Sequence, residues 1–193
     1  MRYNLSEITE LIQGRRTVYP ENFTSRKVHK EQIELMLNNA IWAPTHGLTQ
    51  PWRFKVMQDD ALVRLSDFLL SAYQEMMGDD AIDVKMDRMK NRPLQSSACI
   101  AICMERQESE RIPEIEEVEA VACAVQNMHL TATAYGLGGF WSTPKVVYTD
   151  KMNDFLGLTE RQTCLGLFYV GYPVEWPKSR RKPIEYVTEW LNH

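Results

Sequence analysis

The sequence predicts an α+β domain in which a small sheet packs between helices. Three observations lead there. Helical and extended patterns do not alternate regularly along the chain, which argues against a doubly wound parallel sheet. One stretch, Ala98 to Met104 (ACIAICM), is continuously apolar, as a central strand buried on both faces would be. Ile115, Val118, Val121, Ala122, Val125, Met128 and Ala132 recur at helical spacing and mark a long, strongly amphipathic core helix. The 193 residues suit one domain, residues 1–193, and the 44% hydrophobic and 25% charged content is that of a globular chain able to bury a core.

The elements follow in order. Leu5, Ile8, Ile12 and Arg15 share a helical face, Asn4 with Glu7 resembles a capping box, and this helix ends near Gly14-Arg15-Arg16. Thr17 to Ser25 is a loop. A second helix runs from about Lys30 to Ile41, with Ile33, Met36, Leu37, Ala40 and Ile41 on one side. Ala40 to Phe54 (AIWAPTHGLTQPWRF) then converts helix to strand. Pro44 and Pro51 bias the residues before them away from helix and stiffen both ends of the loop between them. That loop region concentrates Trp42, Thr45, His46, Gln50 and Trp52, and loops held by rigid elements are where binding groups tend to sit. Trp52 to Gln58 alternates like a strand.

Asp59 to about Met77 is helical, with Leu62, Leu65, Leu69 and Tyr73 on one stripe. Gly78 to Gln95 is polar and rich in methionine, either a helical lid or a poorly packed surface excursion. Seven glutamates crowd residues 105–119, before and within the first turn of the core helix, where negative charge suits the helix dipole. The core helix ends near Tyr135-Gly136, with Gly136 a C-cap candidate. GLGGFWSTP (136–144) reads as a turn, Asp150 to Leu156 as a short helix, and Leu165 to Val170 as a third strand stopped by Gly171-Tyr172-Pro173. The tail, EWPKSRRKPIEYVTEWLNH, is a loop followed by a strand or an arm.

Several function classes drop out. A net charge of −4 gives no electrostatic case for nucleic acid. No apolar run approaches the roughly 18 residues of a membrane span, and MRYNLSEITELIQ lacks the apolar segment of a secretory signal. Cys99, Cys103, Cys123 and Cys164 form no CxxC and read as buried reduced thiols, which suits the cytoplasm. His29, His46, His129 and His193 show no metal-ligand spacing, so no metal is expected. No nucleophile or phosphate-loop motif is present, so an enzyme here would leave the hard chemistry to a cofactor.

Three constellations could hold one. Arg15-Arg16-Thr17 places two guanidiniums and a hydroxyl at a helix end, fit to grip a phosphate or simply solvated there. The segment from Gly136 to Thr143 offers backbone that a flat ligand can approach, the Trp141 face, and the Ser142 and Thr143 hydroxyls; otherwise it is a plain C-cap turn. It lacks the GxGxxG spacing of a dinucleotide fingerprint. Lys178-Ser179-Arg180-Arg181-Lys182, between Pro177 and Pro183, is either a basic site or a solvated turn.

Taken in order, RRT, APTHGLTQPWRF, GLGGFWSTP and PKSRRKP resemble the flavin-dependent nitroreductase family over nearly the whole chain. The AP-x5-QPW-x-F frame is the most specific part, and the chain is most similar to the compact branch of small NAD(P)H nitroreductases. That resemblance implies an α+β sandwich around a mainly antiparallel sheet, and a homodimer with each C-terminal arm crossing the partner. It implies FMN at the interface, NADH or NADPH as reductant, and ping-pong reduction of nitroaromatics, quinones or similar small acceptors, with no obligatory catalytic side chain. Carried over by motif, Arg15, Arg16 and Thr17 lie by the FMN phosphate and ribityl chain, with Lys178 and Arg180 reaching the phosphate. Trp42, His46 and Gln50 form one flavin wall, Trp42 and His46 from the partner chain, and Trp141, Ser142 and Thr143 the other. The helix end Thr131, Ala132, Thr133, Ala134, Tyr135 and Gly136 contacts the nicotinamide dinucleotide. Two positions depart from the family pattern: Tyr19 stands where many members carry a cation near the flavin, and Leu48 where many carry asparagine. These departures motivate the alternative of a non-enzymatic flavin-binding or regulatory dimer.

Overall fold

In chain order the elements are α1 (Leu5–Gly14), α2 (Lys30–Ala40), β1 (Trp52–Met57), α3 (Asp60–Met77), α4 (Asp83–Leu94), β2 (Ala98–Glu105), α5 (Glu114–Ala134), β3 (Gly138–Ser142), α6 (Asp150–Leu156) and β4 (Gln162–Gly171). The structure, a computed structural model, describes residues 3–192. Met1, Arg2 and His193, which belonged to the sequence patterns above, lie outside the described residues.

The four strands form one antiparallel sheet in the order β1-β2-β4-β3. Continuous apolarity places β2 in the middle, and every residue from Ala98 to Met104 is fully buried. Alternation then divides its side chains between two cores. Ile100, Ile102 and Met104 face α2 and α5, together with Phe168 and Val170 of β4. Cys99, Ala101 and Cys103 face α3 and α6, together with Leu167 and Tyr169. The sheet is therefore covered by helices on both faces, the α+β sandwich expected.

Most expected elements lie within a residue or two of their predicted bounds. The α1 start is held by Asn4, whose side chain accepts from the Ser6 and Glu7 N–H groups. Residues 83–94 form α4, packed on α3 with Met86 and Met89 against the core beneath, so this stretch is not a loosely attached excursion.

Three expectations are corrected, and for the tail the arm is the alternative found. GLGGFWSTP is not all turn: Gly136, at φ 72°, ends the helix, and Gly138–Ser142 pairs with the open edge of β4 as a fourth strand. The core-helix stripe is displaced, because Ile115 is 61% exposed while Glu117 and His129 are buried. Glu117 tolerates burial through an ion pair with Arg106 and a hydrogen bond from the Gln107 N–H. Cys123 is exposed, unlike the other three cysteines. The tail carries no strand among the described residues; it runs extended with one short 3-10 turn at Ile184–Tyr186, as an arm. It is tied to α1 by the Trp176 indole N–H donating to Gly14 O at 2.8 Å and by Arg16 Nε–H donating to Pro177 O at 3.0 Å.

Pairing of β3 needs close packing that only glycine allows. A Cβ on Gly139 would stand 2.4 Å from Phe168 Cζ and 3.1 Å from His129 Nε2. Gly139→Ala is therefore expected to destabilise the fold by about 1–3 kcal/mol through overpacking, read as a lower urea midpoint with unchanged m-value.

Candidate functional site

The end of α1 does not simply fray into loop. Val18 N–H donates to Gly139 O at 3.1 Å, and Thr17 bridges Gly139 in parallel sense. The segment 15–19 thus runs as a strap along the outer edge of β3. A Cβ on Gly138 would sit 2.7 Å from Val18 Cβ, so the strap lies this close because position 138 has no side chain.

His129, on α5, fixes the strap from below. Its Nε2–H donates to Arg16 O at 3.0 Å, which leaves Nδ1 as an acceptor 3.4 Å from the Arg15 guanidinium. Phe168 meets the ring edge-on, with centroids 5.1 Å apart. Burial, and then the adjacent Arg15 charge, lower the His129 pKa to about 4, while the hydrogen bond to Arg16 opposes the shift. Near neutral pH the imidazole is uncharged. The Arg15 pKa is lowered by burial and by the nearby charges of Arg181 and Arg16.

Strap, helix and strand enclose a cavity of about 390 Å³ lined by Arg15, Thr17, Tyr19, Ala122, Val125, Gln126, His129, Phe140 and Trp141. Its aromatic wall is continuous: the Tyr19 and Phe140 rings are 4.7 Å apart. The Arg92 guanidinium lies 4.9 Å from the Phe140 centroid and 5.4 Å from that of Tyr19. Trp141 lies over Gly166, where an added Cβ would come within 2.1 Å of Nε1. That Nε1–H is buried without a hydrogen-bond partner.

Arg16 points away from Arg15. With Ile12, Gln13, Ser179 and Arg181 it lines a second cavity of about 390 Å³ between α1 and the tail. Among the described residues no carboxylate pairs with Arg15, Arg16 or Arg181. Arg15 at the aromatic cavity thus has two further guanidiniums near it without carboxylate partners, Arg16 and Arg181 at the cavity beside the tail, an arrangement suited to an anionic group attached to a flat ring.

The other expected site residues are placed as follows. Ser142 and Thr143 line a third cavity, with α3 and α4. Lys178 and Arg180 are exposed, and the tail residues beside Arg16 are Ser179 and Arg181 instead. Trp42 is 84% exposed, Gln50 is exposed, and His46 Nδ1 contacts Glu116 Oε2 at 2.5 Å near the start of α5. These three do not line the Arg15 cavity of their own chain. Along 131–136, Ala132 is core, Thr131 and Thr133 donate to carbonyls one turn back, and Ala134, Tyr135 and Gly136 are exposed. Gln126, His129 and Arg92 belong to no motif expected to bind, whereas Phe140 lies in the Gly136–Thr143 segment and Tyr19 is the position that departs from the family pattern near the flavin. The one signal for His129 is its place between Val125 and Ala132 on the buried stripe.

Residues 12–172 match the model of the nitroreductase family. The chain belongs to the nitroreductase family. Among curated relatives, the Escherichia coli strain K12 protein YdjA, provisionally named an NAD(P)H nitroreductase, is 27% identical over 74% of this chain and 76% of its own. A nitroreductase-like family protein from Bacillus cereus has a crystal structure that is 27% identical and covers 100% of this chain and 99% of that one, with TM-score 0.82. A Desulfovibrio desulfuricans protein provisionally described as a nitroreductase, crystallised in complex with FMN, is 24% identical with TM-score 0.73, covering 99% of this chain and 98% of that one. The four-stranded antiparallel sheet with its helical layers is the nitroreductase fold.

Neutral burial of His129 has a pH signature. Its folded pKa, about 4, lies below the 6.5 of an unperturbed histidine, so the unfolded chain binds the extra proton. Stability held above pH ~6.5 is progressively lost as pH falls toward ~4, by at most roughly 3 kcal/mol. Urea titrations across that window should show this slope in the wild type and lack it in His129→Asn.

Proposed function

We propose that this nitroreductase-family chain is an FMN-dependent NAD(P)H oxidoreductase that reduces nitroaromatics, quinones or similar small acceptors. The observation that carries the proposal is Arg15 at the edge of an aromatic cavity, with Arg16 and Arg181 near it at the cavity beside the tail and none of the three paired with a carboxylate among the described residues. The cations suit a phosphate, the Tyr19–Phe140–Trp141 wall suits a flat ring system, and the unpartnered Trp141 Nε1–H is a donor still to be satisfied. The residues present therefore fit FMN. The FMN complex of the Desulfovibrio desulfuricans relative, and the NAD(P)H in the name of YdjA, support the same reading.

Bound FMN supplies hydride chemistry between the nicotinamide and the acceptor. The side chains bind, orient and exclude water. Arg15 and Arg16 hold the phosphate, with Thr17 donating a hydrogen bond and Lys178 and Arg180 adding positive charge from the tail. Neutral His129 keeps Arg15 turned toward the cavity without adding a second charge to it. Trp141, Ser142 and Thr143 form one wall. Trp42, His46 and Gln50, which lie away from their own chain's cavity, complete the opposite wall in a homodimer, Trp42 and His46 from the partner. The α5 end at 131–136 receives the nicotinamide dinucleotide. Tyr19 takes the place where many family members carry a cation, and Arg92 brings a guanidinium over its ring from α4. The protein works in the cytoplasm.

The purified protein should be yellow or should take up added FMN. NADH or NADPH should bleach it anaerobically, and a nitroaromatic or quinone should restore the colour. A protein that takes up no FMN overturns the proposal, and one that holds FMN but is not reduced by either nicotinamide is a flavin-binding dimer rather than an enzyme. Arg15→Gln should weaken FMN binding about tenfold or more, as loss of a charge-assisted hydrogen bond does. His46→Ala should lower flavin retention in a gel-filtered sample more than it lowers the melting temperature.

A further inference from the structure

Two neighbouring glutamates in the first turn of α5 have different partners. Glu117 is buried against Arg106 and accepts from the Gln107 N–H at 3.3 Å. Arg106 Nη1–H and Gln107 Nε2–H both donate to Ile112 O, at 3.1 and 3.3 Å. These bonds fix the turn that leads into the helix. Ile112 in turn lies against the loop between Pro44 and Pro51: a Cβ added to Gly47 would stand 3.4 Å from its Cδ1. Glu116 meets the same loop from the helix, with Oε2 2.5 Å from His46 Nδ1. The helix dipole alone does not account for this carboxylate, because Glu114 supplies negative charge to the same turn and has no ion-pair partner among the described residues.

The contact decides how the imidazole is presented. A carboxylate only accepts, so His46 Nδ1 carries the hydrogen. In the neutral ring Nε2 is then the acceptor, whereas a free imidazole favours the hydrogen on Nε2. Nε2 has no partner among the described residues, and the His46 side chain is 62% exposed. An exposed side chain on a loop otherwise exchanges between rotamers, and fixing it costs entropy that a partner must offset. The backbone around it is also held in an unfavourable shape, with Gly47, Leu48 and Gln50 in the left-handed region. The Thr45 and Thr49 hydroxyls meet at 3.1 Å across this turn, but neither reaches the ring. Among the described residues, Glu116 is the imidazole's one hydrogen-bond partner.

We propose that Glu116 is the positioning residue for His46: it anchors the loop to α5 and holds the imidazole with Nε2 free to accept a hydrogen bond at the partner's flavin site. This role rests on the flavin reading above, and Glu116 acts through His46 without touching the cofactor. It gives one of the glutamates at the start of α5 a task beyond the helix dipole.

The test compares FMN dissociation constants of full-length variants by flavin fluorescence. Glu116→Ala should weaken FMN about fivefold, as loss of one positioned hydrogen bond does. Glu116→Gln, whose amide oxygen still accepts from Nδ1–H, should stay within about twofold of wild type. Glu114→Ala removes the same charge from the same helical turn and should leave FMN binding unchanged. The double variant His46→Ala/Glu116→Ala should bind FMN no more weakly than His46→Ala, because both act through one ring. A second readout is the 15N spectrum of the neutral His46 imidazole, recorded before FMN is added: the hydrogen should sit on Nδ1 in wild type and Glu116→Gln, and on Nε2 in Glu116→Ala. Wild-type affinity in Glu116→Ala, an equal loss in Glu114→Ala, additive losses in the double variant, or a wild-type His46 with its hydrogen on Nε2 overturns the proposal alone. A wild-type protein that takes up no FMN overturns the flavin reading and the proposal together.

Discussion

The candidate site depends on one close contact, the approach of the strap 15–19 to the edge of β3 at Gly138 and Gly139. Two hydrogen bonds define it, Val18 N–H to Gly139 O and His129 Nε2–H to Arg16 O. Side chains at 138 or 139 would collide with Val18, Phe23 or Phe168. Because the approach is tight, Arg15 and Arg16 are held in opposite directions from adjacent positions. One reaches the aromatic cavity and the other reaches the tail. A looser junction would leave both arginines in solvent, where two like charges separate freely. Here Arg16 and Arg181 are fixed close enough for their charges to disfavour that of Arg15. Such stored repulsion is a reservoir that an anion can discharge on binding.

The burial of β2 on both faces makes this arrangement rigid. Helices cover each side of the sheet, so β3, the last strand laid on it, presents chemistry to both layers from one short segment. Trp141 packs on the α5 side and Ser142 lines the cavity on the α3 side, while Phe140 packs against the α3-side core and also reaches the Arg15 cavity. Gly166 on the neighbouring strand supports this by omission, since its missing side chain gives the Trp141 indole room. The pair-wise register shift between Ile102 and Cys103 falls in the same part of the sheet. A bulge there changes the strand's local twist beside the residues that line the cavities.

How much of this was legible in the sequence follows from the range of the forces involved. Helices α1, α2, α3 and α6 were visible because periodicity and caps are local. β2 was visible because burial on both faces leaves only apolar residues from Ala98 to Met104. β3 was not, because its glycines say "turn" locally, and only the open edge of β4 makes them a strand. Ile115 was misplaced because the buried stripe of α5 runs through Glu117, Val121, Ala124 and Met128, which turns position 115 outward. Glu117 sits on the buried side, since Arg106 waits there. In the site, the motifs Arg15-Arg16-Thr17 and Trp141-Ser142-Thr143 could be picked out as contiguous letters. His129 and Arg92 could not, because they meet the site only through packing between segments far apart in the chain. Arg181, rather than Lys178 or Arg180, faces Arg16 because the path of the tail, pinned by Trp176 and Pro177, decides which basic residue points inward.

The loop between Pro44 and Pro51 shows what a single chain leaves unexplained and an assembly would use. Gly47, Leu48 and Gln50 have φ of 58°, 54° and 46°, so two non-glycine residues occupy the left-handed region within three positions. Each such residue costs roughly 1–3 kcal/mol unless its surroundings enforce it. Inside the chain little does: the Thr45–Thr49 and Gln50–Thr45 hydrogen bonds and the His46–Glu116 contact hold the loop, yet Leu48 is 78% exposed and Trp42 84%. The tail repeats the pattern, with Tyr186, Val187, Trp190 and Leu191 all at least 74% exposed. Scattered apolar residues at a surface mean little, but two aromatic segments exposed together, one of them strained, are surface built to be covered. The proposed homodimer would give both a use: the arm would bury its aromatic residues on the partner, and the strained loop would present Trp42 and His46 to the partner's cavity. Strain and exposure in one chain are then the counterpart of order in the pair.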